Sequence, residues 1–337
     1  MRTALVGCGT IAQTHGTVIS GMEETALDAV CDVRLERGKN FAARFGTPET
    51  AVFEDYDEML AARKPDVVHI CTPHVLHVPM AVKAMRAGCH VFMEKPPAIS
   101  REQFDLLKKT KEETGRRLGV CFQNRYNPEF RKALEVVTGG AMGKILGARA
   151  FVTWAREYAY YAESPWRGRL AEAGGGVLIN QALHTLDLLL LLCGMPANVK
   201  GSLQNDHLPD EQAWGSVEVE DTLEGCLIYP DGVRAVFYAT TAYGGNASPL
   251  IEILCEKGTV RIEDGALCVT KDGIRSEETF AVPACAGKDY WGSGHAACIA
   301  DFYRVLRENR PYRNDLASCR LTFDTMMRLY ESARGIK

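Results

Sequence analysis

Short runs of β-branched residues alternate, over the first 120 residues, with longer segments in which apolar side chains recur at helical spacing. The predicted strands cover residues 3–6, 26–31, 67–71, 90–93 and 117–122, and the predicted helices cover 13–22, 34–45, 55–63, 77–87 and 101–114. Strands that alternate with helices are typical of a parallel sheet joined by right-handed crossovers. The pattern therefore predicts a doubly wound α/β Rossmann domain over residues 1–123.

After residue 125 the pattern changes to longer strand-like segments separated by turn sequences such as Pro230-Asp231-Gly232 and Lys271-Asp272-Gly273. Strands are predicted at 145–154, 216–229, 233–239, 250–255, 259–263 and 267–271, and helices at 128–137, 178–192, 296–308 and 317–334. Tight turns between successive strands favour hairpins. We therefore expect residues 124–337 to form an α+β domain with a large, mostly antiparallel open sheet.

Charge and composition narrow the class of partner. Lys+Arg 39 against Asp+Glu 43 gives a formal net charge of -4, which offers no general attraction to nucleic acid or to an anionic membrane. The longest apolar block, residues 188–193, is far shorter than the roughly 20 residues of a membrane span. The 12 cysteines lack the paired spacing of zinc or redox motifs and are typical of reduced thiols. We expect a cytoplasmic protein with a small-molecule partner.

A glycine-rich turn follows the first predicted strand and opens a helix, with the sequence Gly7-Cys8-Gly9-Thr10-Ile11-Ala12. Gly7 permits the tight turn, Gly9 lets the backbone approach a pyrophosphate, and Ala12 lets the helix pack close to the strand. Unpaired N–H groups at Thr10 and Ile11 begin the helix and favour an anion. The alternative is an ordinary glycine-rich turn, but the strand and helix on either side favour dinucleotide binding.

An acid ends the second predicted strand about 20 residues past the glycines, as the fingerprint requires. This acid is Asp32, whose carboxylate can accept hydrogen bonds from the adenosine ribose and would repel a 2′-phosphate. NAD is therefore favoured over NADP. NADP stays an alternative cofactor because the guanidinium of Arg34 could bind the extra phosphate.

Two further motifs, Cys71-Thr72-Pro73 and Glu94-Lys95-Pro96-Pro97, lie at the carboxyl ends of predicted parallel strands. Ligands bind at that edge of open α/β sheets, so we expect Lys95 to point toward the nicotinamide. The other residues expected beside the coenzyme are Thr72, Pro73, His77 and Glu94. His77, like His74, could instead be a solvated helix-cap residue. No metal is expected, because no third ligand lies at a helpful spacing.

A second glycine-rich segment, Gly174-Gly175-Gly176, opens the helix that carries Asn180 and His184. These two residues are four apart and share one helix face. The triple glycine predicts a close backbone approach. The alternative for His184 is a buried histidine satisfied by a neighbour.

In combination, these motifs resemble those of the glucose-fructose oxidoreductase, inositol dehydrogenase and MocA-like (Gfo/Idh/MocA) family over nearly the whole chain. The resemblance implies an NAD(P)-binding first domain, a sugar, polyol or sugar-acid substrate, and a homodimer or homotetramer formed through the open sheet. It also implies that Lys95 and His184 form the catalytic pair and that the Lys-Pro peptide is often cis. Many members carry an aspartate where this chain has Asn180. An amide cannot accept a proton, so Asn180 would orient His184 or a substrate hydroxyl.

For the oxidation of a secondary alcohol, we expect His184 to act as the general base and Lys95 to stabilise the alkoxide, although these roles could be exchanged. Aromatic and arginine side chains suit sugar faces, carboxylates and hydroxyls. The candidates for substrate contact are Trp154, Arg156, Tyr158, Tyr160, Tyr161, Trp166 and Arg167, with Arg125, Asn127 and His295 as weaker ones. Two other functions stay open, namely a non-catalytic dinucleotide-binding regulator and an NAD-dependent glycosidase with transient oxidation.

Overall fold

The computed structural model describes residues 1–205, 217–280 and 294–335. The chain divides into two compact units, one of Met1–Gln123 with Pro283–Cys319 and one of Asn124–Val282 with Arg320–Lys337. The sequence prediction placed all of 124–337 in one domain, whereas the described residues 294–319 group with the first unit. The physical reason is that the helix His295–Glu308 packs against the helix Thr10–Ser20 and the strand Leu118–Cys121.

The first unit contains a six-stranded sheet with the strand order β3-β2-β1-β4-β5-β6, in which every neighbouring pair is parallel. Its elements are β1 Arg2–Val6, α1 Thr10–Ser20, β2 Ala26–Cys31, α2 Leu35–Phe45, β3 Ala51–Phe53, α3 Tyr56–Arg63, β4 Val67–Ile70, α4 His74–Arg86, β5 His90–Glu94, α5 Arg101–Thr114 and β6 Leu118–Cys121. This order defines the doubly wound Rossmann fold and confirms the predicted class. The short strand β3 is the element that the sequence pattern missed.

Four neighbouring strands bring the first unit's motifs to one edge of its sheet. All residues of β4 and β6 are buried, as expected for strands covered by helices on both faces. The glycine-rich turn follows β1, Asp32 follows β2, Thr72-Pro73 follows β4, and Lys95 follows β5. Because parallel strands end at the same edge, these residues share the edge where such folds bind ligands.

The second unit contains an eight-stranded sheet with the strand order β14-β13-β12-β11-β7-β10-β9-β8. Its elements are α6 Pro128–Thr138, β7 Ile145–Thr153, α7 Tyr158–Ala162, α8 Leu170–Ala173, α9 Leu183–Cys193, β8 Asn198–Gln204, β9 Thr222–Ile228, β10 Arg234–Thr240, β11 Leu250–Cys255, β12 Gly258–Glu263, β13 Ala266–Lys271 and β14 Ile274–Thr279. Neighbouring strands are antiparallel except β7 and β10, which are parallel, so the expected mostly antiparallel sheet is confirmed. Two helices complete the described chain: α10, His295–Glu308, and α11, Leu316–Ala333.

The two faces of the eight-stranded sheet differ. Helices α6 and α9 pack on one face, where Ala150, Phe237 and Ile253 are fully buried. On the opposite face Val236 is 49% exposed and Leu254 is 47% exposed. We call this second surface the open face.

One helical stretch is long and apolar enough to cross a membrane. It covers Leu170–Cys193, and 78% of its most apolar window is buried inside the protein. Such burial is typical of the core helix of a soluble protein, so this stretch is weak evidence for a membrane segment.

Candidate active site

The turn after β1 has the geometry of a pyrophosphate cradle. Gly7 has φ +86°, and a Cβ at this position would lie 2.7 Å from the carbonyl oxygen of Cys71, so a larger residue is excluded. A Cβ on Gly9 would meet no atom within 4 Å, which leaves open space beside the start of α1. Ala12 is fully buried where α1 packs on the sheet. The backbone N–H groups that begin α1, including those of Thr10 and Ile11, suit a phosphate in that space.

Asp32 is held by the backbone at the end of β2. Its two carboxylate oxygens accept hydrogen bonds from the Cys8 and Arg34 backbone N–H groups, each at 2.8 Å. A carboxylate offers about four acceptor sites, so two remain for the hydroxyls of a ribose. The side chain of Arg34 is exposed at the start of α2. This arrangement fits a dinucleotide with a free 2′-hydroxyl.

The His77 ring links the loop after β4 to the loop after β5 and does not face a ligand. Its ring nitrogens lie 2.9 Å from the carbonyl oxygens of Thr72 and Pro96, and the side chain is buried. Burial lowers the pKa of His77, although the two carbonyl oxygens oppose that shift. The expectation that this ring contacts the coenzyme is corrected, because both nitrogens already face backbone carbonyls. Thr72 and Pro73 lie on one braced loop, and Lys95 lies on the other.

Lys95 and Glu94, adjacent in sequence, differ in exposure. Lys95 is partly exposed, and its peptide bond to Pro96 is cis. Glu94 is buried, and its carboxylate accepts a hydrogen bond from His15 Nε2 at 2.9 Å. Burial alone would raise the pKa of Glu94, but the hydrogen bond from His15 and the nearby positive charges hold it below its usual value. The predicted coenzyme contact of Glu94 is therefore corrected to an internal one.

In the second unit, the glycine triplet makes room for the protein's own side chains and backbone. A Cβ on Gly175 would lie 2.1 Å from the Tyr330 hydroxyl oxygen, and one on Gly176 would lie 1.8 Å from the carbonyl oxygen of Glu220. The Glu220 carboxylate accepts hydrogen bonds from the Gly176 N–H at 2.8 Å and the Tyr330 hydroxyl at 2.7 Å. Burial raises the pKa of Glu220, and these hydrogen bonds oppose the shift. The predicted close approach therefore anchors the start of the next helix.

That helix begins with a π-helical turn, Leu178–Ala182, and continues as α9. Asn180 and His184 are partly exposed, while Leu178, Ile179 and Leu183 around them are buried. π-Helical turns inside α-helices are frequent at functional sites. The two predicted residues thus form a polar, accessible strip on an otherwise buried helix.

Donor groups gather beside Asn180. The Asn180 and Gln181 amide nitrogens each donate to the Tyr160 hydroxyl at 3.2 Å. The Arg167 guanidinium lies 4.3 Å from the centre of the Tyr160 ring, and that of Arg156 lies 5.6 Å from it. We call these five residues the Tyr160 cluster. Gln181 is the member that sequence reasoning did not select, although it adjoins Asn180.

Trp166, a predicted substrate contact, packs instead with Tyr160 against the small apolar core of Tyr161, Ala173 and Val219. Trp154 lies under the Arg156 guanidinium, whose carbon is 4.9 Å from the indole ring. Trp154 and Tyr160 therefore lie against the guanidinium groups of the cluster, whereas Trp166 packs in the apolar core.

Arg125 is buried, so its predicted substrate contact is corrected. Its guanidinium forms a two-pronged ion pair with Asp187 on α9, at 2.7 Å and 2.6 Å. The Thr322 hydroxyl donates to the same carboxylate. A buried charge of this kind has to be paired, so Arg125 fixes α9 in place. His295, another weak candidate, is buried in the first unit, and burial lowers its pKa to about 4.

The fingerprint on a doubly wound sheet, with a second unit built on an open sheet, defines a class of dinucleotide-binding oxidoreductases. Residues 1–122 match the family described as "Oxidoreductase family, NAD-binding Rossmann fold", and residues 130–261 match the "GFO/IDH/MocA C-terminal domain". The chain belongs to the Gfo/Idh/MocA oxidoreductase family. The predicted family and the predicted NAD cofactor are both confirmed.

Three relatives illustrate the range of similarity. The WlbA dehydrogenase from Bordetella pertussis, solved with NADH and UDP-GlcNAcA, is 30% identical over 99% of this chain and 96% of its own, with a TM-score of 0.84. D-glucoside 3-dehydrogenase of Escherichia coli is 34% identical over 58% of this chain. dTDP-3,4-didehydro-2,6-dideoxy-alpha-D-glucose 3-reductase of Actinomadura kijaniata is 28% identical over 60% of it. The chain spans 55% and 59% of the lengths of the last two proteins.

We expect Asp32→Asn to weaken NADH binding about 10- to 100-fold, because hydrogen bonds to a charged acceptor contribute about 1.5–3 kcal/mol. NADPH binding should weaken less, since a source of repulsion is removed. Titration calorimetry with both coenzymes measures the effect. Asp28→Asn, a change four residues earlier on β2 at an acid paired with Arg63, is the matched control. Unchanged NADH affinity in a folded Asp32→Asn protein would contradict the assignment.

Proposed function

We propose that this protein is an NAD-dependent dehydrogenase that interconverts a secondary alcohol and a ketone on a sugar, a polyol or a sugar acid. The observation that carries the proposal is the set of polar, partly exposed residues on the NAD-binding family fold. Lys95 lies at the ligand-binding edge of the first unit's sheet, and Asn180 and His184 lie on the accessible strip of the second unit. These residue types can hold and move a proton at a hydroxyl group.

The relatives favour carbon 3 of a glucose-type ring as the site of oxidation. One relative is a D-glucoside 3-dehydrogenase, and another is a 3-reductase of a dTDP-linked dideoxyglucose. These two proteins act in opposite redox directions at the same numbered carbon. We therefore propose that this chain also acts at C3 of a hexopyranose derivative.

We assign a separate role to each residue of the proposed catalytic pair. The NAD coenzyme supplies the hydride acceptor. His184 removes the hydroxyl proton as general base, and Lys95 stabilises the alkoxide with its positive charge. Asn180 orients a substrate hydroxyl, because its amide cannot take up the proton. The exchanged assignment, in which Lys95 is the base, is distinguished by the variants below.

Lys95→Ala and His184→Ala should each lower turnover about 10²- to 10⁴-fold with NAD and a glucoside panel, as expected for loss of acid–base or charge stabilisation. Absorbance of the reduced coenzyme gives the rate. Lys95→Arg should retain part of the activity if Lys95 acts through its charge and none if it is the base. Lys83→Ala, an exposed lysine paired with Asp57, is the control. Full turnover in either alanine variant removes that residue's role.

The same assay separates the alternative functions left open by the sequence. A dehydrogenase reduces added NAD stoichiometrically with sugar oxidation. A glycosidase with transient oxidation releases sugar without net reduction, and a regulatory protein does neither. The relatives with named activities cited above are dehydrogenases and a reductase, which supports the first outcome.

The Tyr160 cluster favours a substrate that carries a negative charge. Its five members present guanidinium, amide and hydroxyl donors, and Arg167 forms no ion pair with any residue that the structure describes. Guanidinium groups bind carboxylates through paired hydrogen bonds. The WlbA relative was solved with UDP-GlcNAcA, a sugar acid. We therefore propose a sugar acid, or a sugar linked to another anionic group, as the preferred substrate.

Arg167→Gln should lower kcat/KM for a hexuronate glycoside about 10- to 100-fold, because a charged hydrogen-bonding partner is lost. The neutral hexoside of the same configuration should be affected several-fold less. Steady-state kinetics on the two substrates measures the difference. Arg169→Gln, an exposed neighbour paired with Glu172, serves as control. Equal losses on both substrates would count against charge recognition.

We propose that the protein forms a homo-oligomer through the open face of the eight-stranded sheet. Phe151 and Tyr238 pack edge to face there, at 6.5 Å between ring centres, next to the exposed Val236. The Arg149–Glu252 ion pair lies on the same surface. Apolar residues with a polar surround are typical of subunit interfaces.

Val236→Glu should convert the oligomer to a smaller species, because it places a charge among the apolar residues of the proposed interface. Sedimentation velocity measures the mass. Val33→Glu, a change at an 86% exposed valine of the first unit, is the control. A wild-type protein that sediments as a monomer at micromolar concentration would contradict the proposal.

We also propose a cytoplasmic location. Eleven cysteines lie among the described residues, and each of them is a free thiol. Several are buried in the parallel sheet, where they act as small apolar residues. Unpaired cysteines in this number are typical of a reducing compartment.

A further inference from the structure

Strand β14 forms one edge of the eight-stranded sheet, and none of the strands in the described ranges 1–205, 217–280 and 294–335 pairs with its outer side. It pairs with β13 over six consecutive residues without a bulge, and it contains no proline. All six of its residues are exposed, including Ile274, which is 76% exposed. A regular, exposed edge strand of this kind is a template for pairing with another strand.

The turn before β14 determines which of its backbone groups face outward. Asp272 and Gly273 have φ +50° and +81°, the two positive values of a type I′ turn, and they form the two-residue loop between Lys271 and Ile274. The residues that flank such a loop form a hydrogen-bonded pair. Along the two strands, hydrogen-bonded pairs then alternate with pairs that are not hydrogen-bonded.

This alternation divides the backbone of β14 into two sets. The N–H and C=O groups of the first set face β13, and the Phe280 N–H continues this set by donating to the Gly265 carbonyl oxygen at 3.1 Å. The groups of the second set point away from the sheet. The first set comprises Ile274, Ser276 and Glu278, and the second comprises Arg275, Glu277 and Thr279. An added strand would therefore form its backbone hydrogen bonds with the second set.

The outward-facing set carries charges of both signs. The Arg275 guanidinium donates to the Glu277 carboxylate at 2.7 Å, and the two side chains are 69% and 51% exposed. Charged residues usually protect an edge strand from pairing. Opposite charges two residues apart are instead complementary to a second copy of themselves, provided that the copy runs antiparallel in the matching register.

Symmetry and charge together select one register. A two-fold axis normal to the sheet places one residue of β14 opposite its own copy. With Arg275, Glu277 or Glu278 on that axis, like charges would lie directly opposite each other, which is destabilising. An axis at Ile274 would pair little more than the residues beside the turn. With Ser276 on the axis, Arg275 of each copy lies opposite Glu277 of the other, and both belong to the outward-facing set.

We propose that a second copy of this chain pairs with β14 in antiparallel fashion, with the two Ser276 residues opposite each other. The two eight-stranded sheets then become one continuous sheet. The backbone groups of Arg275 and Glu277 supply its central hydrogen bonds, and their side chains form a group of two arginines and two glutamates across the junction. Because Arg275 and Glu277 already hold each other in the single chain, ordering them in the dimer costs less entropy.

This interface is separate from the open face, because it uses the edge of the sheet and neither of its faces. Pairing of β14 with β8, the strand at the other edge, would be head-to-tail and would extend into a fibre unless it closed into a ring. The two-fold pairing closes after two copies. It depends neither on the proposed dehydrogenase activity nor on the open-face contact, so each can be tested without the others.

Disulfide formation tests the register. In the proposed pairing the two Ser276 residues form a pair that is not hydrogen-bonded, with Cα atoms about 4.5 Å apart. Disulfides span Cα distances of about 4.4–6.8 Å, so Ser276→Cys should give a covalent dimer on mild oxidation. Non-reducing electrophoresis measures the yield. Peptide mass spectrometry shows that the bond joins two copies of position 276 and does not involve the 12 native cysteines.

Glu278→Cys is the matched control, since position 278 is exposed and lies on the same face of the same strand. In the proposed register each position 278 is four residues, or about 13 Å, from its own copy. This variant should give little covalent dimer. A yield from Glu278→Cys that equals or exceeds the yield from Ser276→Cys overturns the proposal, and so does the absence of a covalent dimer from Ser276→Cys.

Charge exchange tests the complementarity without new thiols. Arg275→Glu replaces two pairs of opposite charges with two pairs of carboxylates, so the dissociation constant of the edge dimer should rise about 10-fold or more. Arg275→Glu/Glu277→Arg should return it to within a few-fold of the original value. All proteins compared carry Val236→Glu, which removes any contact through the open face, and sedimentation velocity over a concentration series measures the dissociation constant.

Arg131→Glu, the same change at an exposed arginine of α6, is the control for net charge and should leave the dissociation constant unchanged. A double variant that dimerises as weakly as Arg275→Glu overturns the proposal, because the two charges then do not face each other. A covalent dimer through position 276 in a protein that oxidises no sugar supports the edge pairing and removes the proposed function alone.

Discussion

A carboxylate that is taken out of water has to find its hydrogen bonds inside the protein, and this requirement organises both units. Four acids meet it in different ways. Asp32 accepts from two backbone N–H groups, Asp187 pairs with Arg125, Glu94 accepts from His15, and Glu220 accepts from the glycine-rich segment and Tyr330. Each of them supports a functional segment, namely the coenzyme turn, helix α9, the Lys95 loop or the start of the π-helical turn. The proposed chemistry therefore depends on buried acids whose carboxylates are held by hydrogen bonds or by an ion pair.

Most of the fold of the first unit can be predicted from the sequence. Its strands are buried on both faces, so they form short apolar runs that alternate with helical patterns at regular intervals. In the second unit, strands can be predicted where one face is buried and the other is exposed. Strand β10 is an example, because its residues alternate between buried and exposed over most of its length. The pattern fails for β14, where all six residues are exposed and no alternation exists. The pattern also does not show that α10 packs in the first unit, because contacts between segments far apart in the sequence leave no local signal.

The sequence predicts the functional site less completely than it predicts the fold. The predicted strand ends correctly place Gly7, Asp32 and Lys95 at one edge of the sheet, because all strands of a parallel sheet end at the same edge. The same reasoning assigned His77, Glu94 and Arg125 to ligands, although each satisfies its polar groups within its own unit. His69 meets a tyrosine 234 residues away, so no local spacing signals it. Sequence shows which side chains carry charge but not whether an internal partner has already neutralised it.

Transfer of an isotopic label tests the central claim, that this chain moves a hydride from a sugar carbon to NAD. The protein is incubated with NAD⁺ and a glucuronide deuterated at C3, and the reduced coenzyme is analysed by mass spectrometry and NMR. The account predicts one deuterium at C4 of the nicotinamide, together with a C3 ketone in the sugar. Formation of reduced coenzyme without deuterium would contradict oxidation at C3, and the absence of any reduced coenzyme across a sugar panel would contradict the dehydrogenase itself.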